Sequence, residues 1–456
     1  MRSLPDVFAG GLFTDLYELT MAQAYHAQGM NDTAVFELFF RKLPEHRTYT
    51  VAAGLDDALA FLEALRFTDD DLAYLAAQGQ FHDAFLDVLR DLRFTGDVWA
   101  MPEGTVVFPD EPILQVVAPI LQAQLVETAM LNQINVQSVL ATKAARVVHA
   151  ARGRTVVDFG SRRAHGAEAA IKAARCGYLA GAQGTSNVLA GRMYDIPIVG
   201  TMAHSYIQAH DDETAAFEHF ARLYPGTTLL VDTYDTLDGV RKVIDLAASM
   251  GDEFTVRAVR LDSGDLTDLA RRARAMLDEA GLTGVKIFAS SGLDEYKIDR
   301  LLTAGAPIDG FGVGTSMVIS DDAVSLDLAY KLVAYAGRPR TKLSSGKLIY
   351  PGRKQVFRIT TDDRMDHDTI AFADDSPAGD PLLVPVMRRG QRTGAGRATL
   401  AQARETFSHN RRHLPDRLTA LDPGDAAYPV HISQGVQETL ASLREELEAT
   451  TPSRRG

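Results

Sequence analysis

Polar residues that could bind or move charge gather in one part of this 456-residue chain, at the ends of apolar runs between Gly153 and His210. Three runs, TVVDFG, AGAQGTSN and IPIVGTMAH, each close on small or polar residues, with helical patterns between them. Asp158, Ser161, Arg162, Arg163, His165, Ser186, Asn187, His204 and Ser205 all fall at such ends. Buried parallel strands read as continuous apolar runs, and function collects just beyond their C-terminal ends. A turn that only reverses the chain needs a glycine and a helix cap, so cations and a histidine there point to an anion or to proton transfer. His204, with Arg162, Arg163 and Asp262 at neighbouring strand ends, is a candidate for acid–base or phosphoryl-acceptor work. RLDSGDL adds Arg260, Asp262 and Asp265, a set in which carboxylates can hold ribose hydroxyls or Mg²⁺; Asp265 can equally be the cap of the next helix. FASSGLDEYKI offers Ser290, Ser291 and Gly292 at a helix start, and GFGVGTS offers Gly312, Gly314 and Thr315. Glycines let backbone N–H groups approach an anion, so both stretches read as phosphate turns.

The elements that must position these residues repeat as strand then helix about every 25 to 30 residues, the size of a βα unit. Eight candidate strands follow Thr155: TVVDFG, AQGTSN, IPIVGT, TTLLVD, FTVRAVRLD, VKIFASS, IDGFGVGT and SLDLAYKLVAY. Amphipathic segments between them, such as TLDGVRKVIDLAASMG, end at glycine as helices do. With no GxGxxG after the first strand, the count favours an irregular β/α barrel over an open dinucleotide-binding sheet. Around it the pattern differs. GLFTDLYELTMAQAY begins a helix capped by Thr14 or Asp15, on which Tyr17 is either a packing residue or a ligand contact. AVFELFFRKLP alternates as a strand, with Val35, Glu37, Phe39 and Arg41 on the side away from the core and Arg41 toward solvent or a partner, and a long helix runs from Gln122 to Ala151. After Pro339, hairpin strands and two helices follow. The expected division is therefore 1–150 and 339–456 as a discontinuous α+β domain, with 151–338 as the barrel carrying the site. Lys342, Lys347 and Lys354 in TKLSSGKLIYPGRK read equally as phosphate contacts or as a solvated hairpin face.

Composition narrows the partners. A net charge of -13 argues against nonspecific nucleic-acid binding and requires any anion site to be a local basic pocket. Cys176, the one cysteine, excludes an internal disulfide and a cysteine-based zinc site, and its Ala/Gly surroundings predict burial. The opening MRSLPDVFAGG lacks a basic start and an apolar core, and no stretch approaches a membrane span, so a cytoplasmic protein is expected.

GLFTDLYELTMAQAY, FELFFRKLP, DFGSRRAHG, GTSN, GTMAHSY, RLDSGDL, FASSGLDE and GFGVGTS, in this order over nearly the whole chain, resemble nicotinate phosphoribosyltransferases. The resemblance implies transfer of a phosphoribosyl group from phosphoribosyl pyrophosphate to nicotinate in NAD salvage, with Mg²⁺ and with ATP as co-substrate. It implies that His204 becomes a phosphohistidine, and that Arg162 and Arg260 lie about the base and pyrophosphate. Asp262 would serve the ribose or the metal, Tyr17 and Phe159 would bracket the pyridine ring, and the GFGVGT loop with Ser291 and Gly292 would cradle the 5′-phosphate. Thr185, Ser186 and Ser205 are the remaining expected substrate contacts. Tyr17 would reach the partner subunit's site in a homodimer. Nicotinamide-using relatives carry an acidic residue where GTSN has Ser186, so Ser186 favours the acid.

Overall fold

The computed structural model describes residues 10–343 and 348–450. The chain divides into two compact units, Leu140–Val324, and Met1–Val139 together with Ser325–Gly456. These divisions differ from the expected 150/151 and 338/339 for two reasons. The helix Glu127–Ala150 runs unbroken through the first. The last of the eight predicted strands, Leu328–Tyr335, pairs antiparallel with Thr33–Phe40 and so belongs with the other unit.

In the unit 140–324, six strands form one parallel sheet. Their order is Gly184–Thr185, Thr155–Asp158, Gly310–Val313, Lys286–Ala289, Ala258–Leu261 and Thr228–Leu230. Val156, Val157, Val259, Leu261, Ile287, Ala289, Phe311 and Val313 are buried along it, which is why these strands read as apolar runs. The result is a half-barrel of six strands, so the expected irregular β/α barrel is present with fewer staves than eight. IPIVGT supplies only a bridge from Ile198 to Thr185. Pro197 has no N–H to donate, which prevents a regular ladder there. Aspartates start the helices that return the chain: Asp212, Asp235, Asp265 and Asp294 each accept a backbone N–H. Asp265 accepts from Thr267 and Asp268, so the helix-cap alternative holds for it. Such a cap contributes about 1 kcal/mol. Cys176 is buried, as expected.

In the other unit, a seven-stranded sheet runs 338–339, 328–335, 33–40, 114–119, 97–100, 384–388 and 391–392, every neighbour antiparallel. Leu38, Phe40, Leu114, Val116 and Met387 on it join Leu59, Leu62 and Leu89 of the helices in one core. Each fully buried side chain of this kind contributes about 1.5–3 kcal/mol. Because Thr33–Phe40 is an interior strand, all but its first residue is buried, which corrects the expectation that Glu37 lies on a side away from the core. Glu37 pairs instead with Lys354, Nζ to carboxylate 2.7 Å, both 2% exposed. Lys354 is thus neither a phosphate contact nor solvated; burial pushes its pKa down and Glu37 opposes the shift. Lys342 is half-buried, and Lys347 lies outside the described residues. On the helix Leu16–Ala27, Asp15 sits at the cap position without a capping hydrogen bond. Tyr17 is 44% exposed rather than packed, and its pKa is raised by burial and by the Glu127 carboxylate.

Candidate active site

The C-terminal ends of the parallel strands enclose a cavity of ≈ 210 Å³ lined by Phe159, Arg162, Arg163, Arg260, Asp262, Ser290, Ser291, Gly292, Gly312, Gly314 and Thr315. Nine of the residues singled out from the sequence as catalytic, substrate-binding or phosphate-binding therefore meet in one place: Phe159, Arg162, Arg260, Asp262, Ser291, Gly292, Gly312, Gly314 and Thr315. Three arginines and one aspartate line it, the local positive excess that an anionic ligand needs in an acidic protein. Arg260 donates Nη2–H to the Met202 carbonyl at 3.1 Å, while its Nε is buried without a partner. Burial lowers its pKa, Asp262 and Asp232 resist, and Arg162 adds repulsion. A buried guanidinium left partly unsatisfied is stabilised by an incoming phosphate, which accepts two of its N–H bonds.

Phe159 is fixed by its own strand end. Its N–H donates to Val313 O at 2.8 Å, and its ring lies so close over Gly312 that a Cβ there would meet Phe159 Cδ2 at 2.4 Å. Below it, Asp158 accepts from Gly160 N at 2.7 Å and from Thr185 Oγ1 at 2.7 Å, and burial raises its pKa against those two bonds. Thr185 is 0% exposed, and its hydroxyl also accepts from Asn187 N at 3.0 Å. The hydroxyl thereby holds the GTSN turn. Ser186, next to it, is half-buried, with its N–H donating to Asp158 O at 2.8 Å.

The histidine end lies beside the carboxylate. His204 opens the helix His204–Gln208 and does not end a strand. Its Nε2 is 3.8 Å from Asp262 Oδ2, and its Nδ1 is 3.1 Å from Thr233 Oγ1. Ser205 follows, exposed, and is not among the cavity's lining residues. Asp262 is oriented from both sides: its N–H donates to Asp232 Oδ2 at 2.8 Å, and Ser290 Oγ donates to its Oδ1. Asp232 also accepts from Ser263 Oγ at 2.6 Å and keeps Oδ1 buried without a partner. Sequence reasoning passes over Asp232, yet TTLLVD ends in it just as RAVRLD ends in Asp262. The two carboxylates, one with an unsatisfied oxygen, fit Mg²⁺, which takes one or two carboxylates and fills its octahedron with water and phosphate oxygens. Among the described residues no group of three or more His, Cys, Asp or Glu converges as an all-protein metal site.

Comparison with known proteins points to one family. The model for the nicotinate phosphoribosyltransferase N-terminal domain matches residues 12–135, and the model for the nicotinate phosphoribosyltransferase family matches residues 155–346. The chain is 61% identical over 435 residues to nicotinate phosphoribosyltransferase pncB2 of Mycobacterium tuberculosis, covering 95% of this chain and 94% of that one. It is 45% identical over 356 residues to nicotinate phosphoribosyltransferase of Bacillus subtilis, covering 76% and 73%. The crystal structure of human nicotinic acid phosphoribosyltransferase superposes with a TM-score of 0.84 at 30% identity, over 94% of this chain and 99% of that one.

Proposed function

The chain belongs to the nicotinate phosphoribosyltransferase family and has that activity in NAD salvage, and we propose that it couples the transfer to ATP hydrolysis through a phosphorylated His204. The observation that carries this reading is the approach of His204 Nε2 to Asp262 Oδ2, 3.8 Å, at a cavity built from arginines and two glycine-bearing turns. With Nδ1 held by Thr233, Nε2 is the nitrogen assigned to the phosphoryl group. It attacks the γ-phosphorus of ATP, the bond to ADP breaks, and hydrolysis of the phosphohistidine then returns the imidazole.

In the transfer itself, the pyridine nitrogen of nicotinate forms a bond to C1 of the ribose as the C1–O bond to pyrophosphate breaks. Positive charge develops on the sugar and negative charge on the leaving group. The reading gives Arg162 and Arg260 the pyrophosphate, Asp262 the sugar side, and the turns at Ser291–Gly292 and Gly312–Thr315 the 5′-phosphate. Donors already aimed at the developing charge need no rearrangement during the reaction, which is where such sites obtain most of their rate. Asp262 and Asp232 would hold Mg²⁺, which when bound supplies charge neutralisation at the pyrophosphate. Phe159 stacks on the pyridine.

Specificity rests on Ser186. A carboxylate in its place would face the nicotinate carboxylate in a partly dry pocket, whereas a hydroxyl donates a hydrogen bond to it. Ser186→Asp is expected to raise the KM for nicotinate at least about tenfold, or roughly 1.4 kcal/mol. Unchanged kcat/KM would move selectivity to Arg162, Arg163 or His165. We also assign the protein to the cytoplasm, in keeping with the lack of any described helix long and apolar enough to cross a membrane. The active form is read as a homodimer whose sites are shared through the exposed Tyr17. Mixing Tyr17→Ala and His204→Ala proteins should then restore part of the activity through hybrid sites. No recovery despite demonstrated subunit exchange would refute sharing.

A further inference from the structure

A buried ionic cluster next to the two glycine-bearing turns takes no part in the reaction. Glu295, 0% exposed, is the first residue of the helix Glu295–Thr303 that follows the Ser290–Gly292 turn. Lys143 Nζ lies 2.7 Å from its Oε2, and Arg146 Nε donates to its Oε1 at 3.0 Å. Lys143 Nζ also reaches Asp322 Oδ1 at 2.8 Å, and Arg146 Nη2 is 2.9 Å from the Tyr296 hydroxyl. Lys143 and Arg146, three residues apart on the helix Glu127–Ala150, share one face. Two cations thus hold two carboxylates, one just after each phosphate-facing turn: Asp322 comes shortly after the helix Thr315–Ile319, which opens from the Gly314–Thr315 turn.

We propose that Lys143 and Arg146 are positioning residues for phosphoribosyl pyrophosphate, acting through Glu295 and Asp322 to keep both turns in anion-binding shape. This rests on the assignment of those turns to phosphate. Ser291 has φ +95°, a conformation that a residue with a side chain keeps only where its surroundings fix it at both ends. On one side Ser290 N donates to Leu261 O at 2.9 Å, and its hydroxyl donates to Asp262. On the other side Leu293 is buried and Glu295 is the nearest buried charge, and Ser316 Oγ donates to Leu293 O at 2.9 Å, tying the two turns together. Buried ion pairs give little net stability over apolar residues of the same size, because desolvation opposes the attraction. What they add is position, since Arg146 donates a hydrogen bond to one oxygen of the Glu295 carboxylate and Lys143 Nζ sits 2.7 Å from the other.

The test measures KM for both substrates in Glu295→Gln and in the double variant Lys143→Met with Glu295→Gln, which removes one charge of each sign. The expected result is a KM for phosphoribosyl pyrophosphate raised at least about tenfold with the KM for nicotinate within about twofold, and a folded double variant. Thr315→Val, in the turn itself, separates the two layers of the argument. A wild-type KM for phosphoribosyl pyrophosphate in Thr315→Val would sink the phosphate assignment. A raised value there, alongside wild-type values in both cluster variants, would overturn the positioning role alone. Equal rises in both KM values, or failure of both cluster variants to fold, would overturn it too, since the cluster would then serve the fold and not the turns.

Discussion

Asp262→Asn is expected to lower kcat by at least about a hundredfold, roughly 2.7 kcal/mol of transition-state stabilisation, at saturating concentrations of every substrate. The substitution keeps size and one acceptor, removes the charge and turns the second acceptor oxygen into a donor. That charge stands where Ser290 donates to one oxygen and His204 Nε2 lies 3.8 Å from the other. In the proposed mechanism the carboxylate faces the cationic sugar and shares Mg²⁺ with Asp232, so both effects are lost together. Folding should be spared, because the side chain is 35% exposed and contributes little to the core. Thermal midpoint, kcat and the Mg²⁺ concentration for half-maximal rate should be measured side by side. A kcat within about threefold of wild type with an unchanged Mg²⁺ requirement would remove Asp262 from the chemistry.

The second large effect concerns energy coupling. His204→Ala should abolish stimulation by ATP, leaving only the slow transfer that runs without it, because no other described side chain is assigned the phosphoryl group. At 40% side-chain exposure His204 is reachable by ATP, and its removal should cost little stability. The measurement is incubation with ATP labelled at the γ-phosphate: wild-type protein should take up label that is lost in acid and retained in base, and the variant should take up none. Equal labelling of the two proteins would place the phosphoryl group elsewhere.

Much of the site is legible in the sequence, because its residues sit at a recurring location. Asp158, Phe159 and Arg162 follow TVV, Asp262 follows AVRL, and Gly312 to Thr315 follow IDGF, so apolar runs alone mark where the chain turns to face a ligand. The same rule would have found Asp232. The half-barrel's strand count is less legible, since IPIVGT has the composition of a strand, yet it makes a single bridge and Pro197 lacks the N–H that a longer ladder would use. SLDLAYKLVAY also reads as a βα strand, and its antiparallel partner Thr33–Phe40 is about 290 positions away, a separation no local pattern reports. Lys143 and Lys354 look like solvated cations by residue type. Each is buried because carboxylates lie opposite it, Glu295 and Asp322 for Lys143 and Glu37 for Lys354, and that pairing exists only in three dimensions. Thr185 shows the reverse case, a polar residue in a functional motif whose hydroxyl is fully engaged by the backbone and by Asp158.

Most direct for the central claim is a parallel assay of nicotinate, nicotinamide and quinolinate, each with phosphoribosyl pyrophosphate and Mg²⁺ and each with and without ATP, following nucleotide, pyrophosphate, phosphate and CO₂. The account predicts nicotinate mononucleotide and pyrophosphate from nicotinate, faster with ATP and accompanied by ADP and phosphate, with nicotinamide at least about a hundredfold poorer by kcat/KM. Turnover of quinolinate alone, with CO₂ released and no response to ATP, would contradict it.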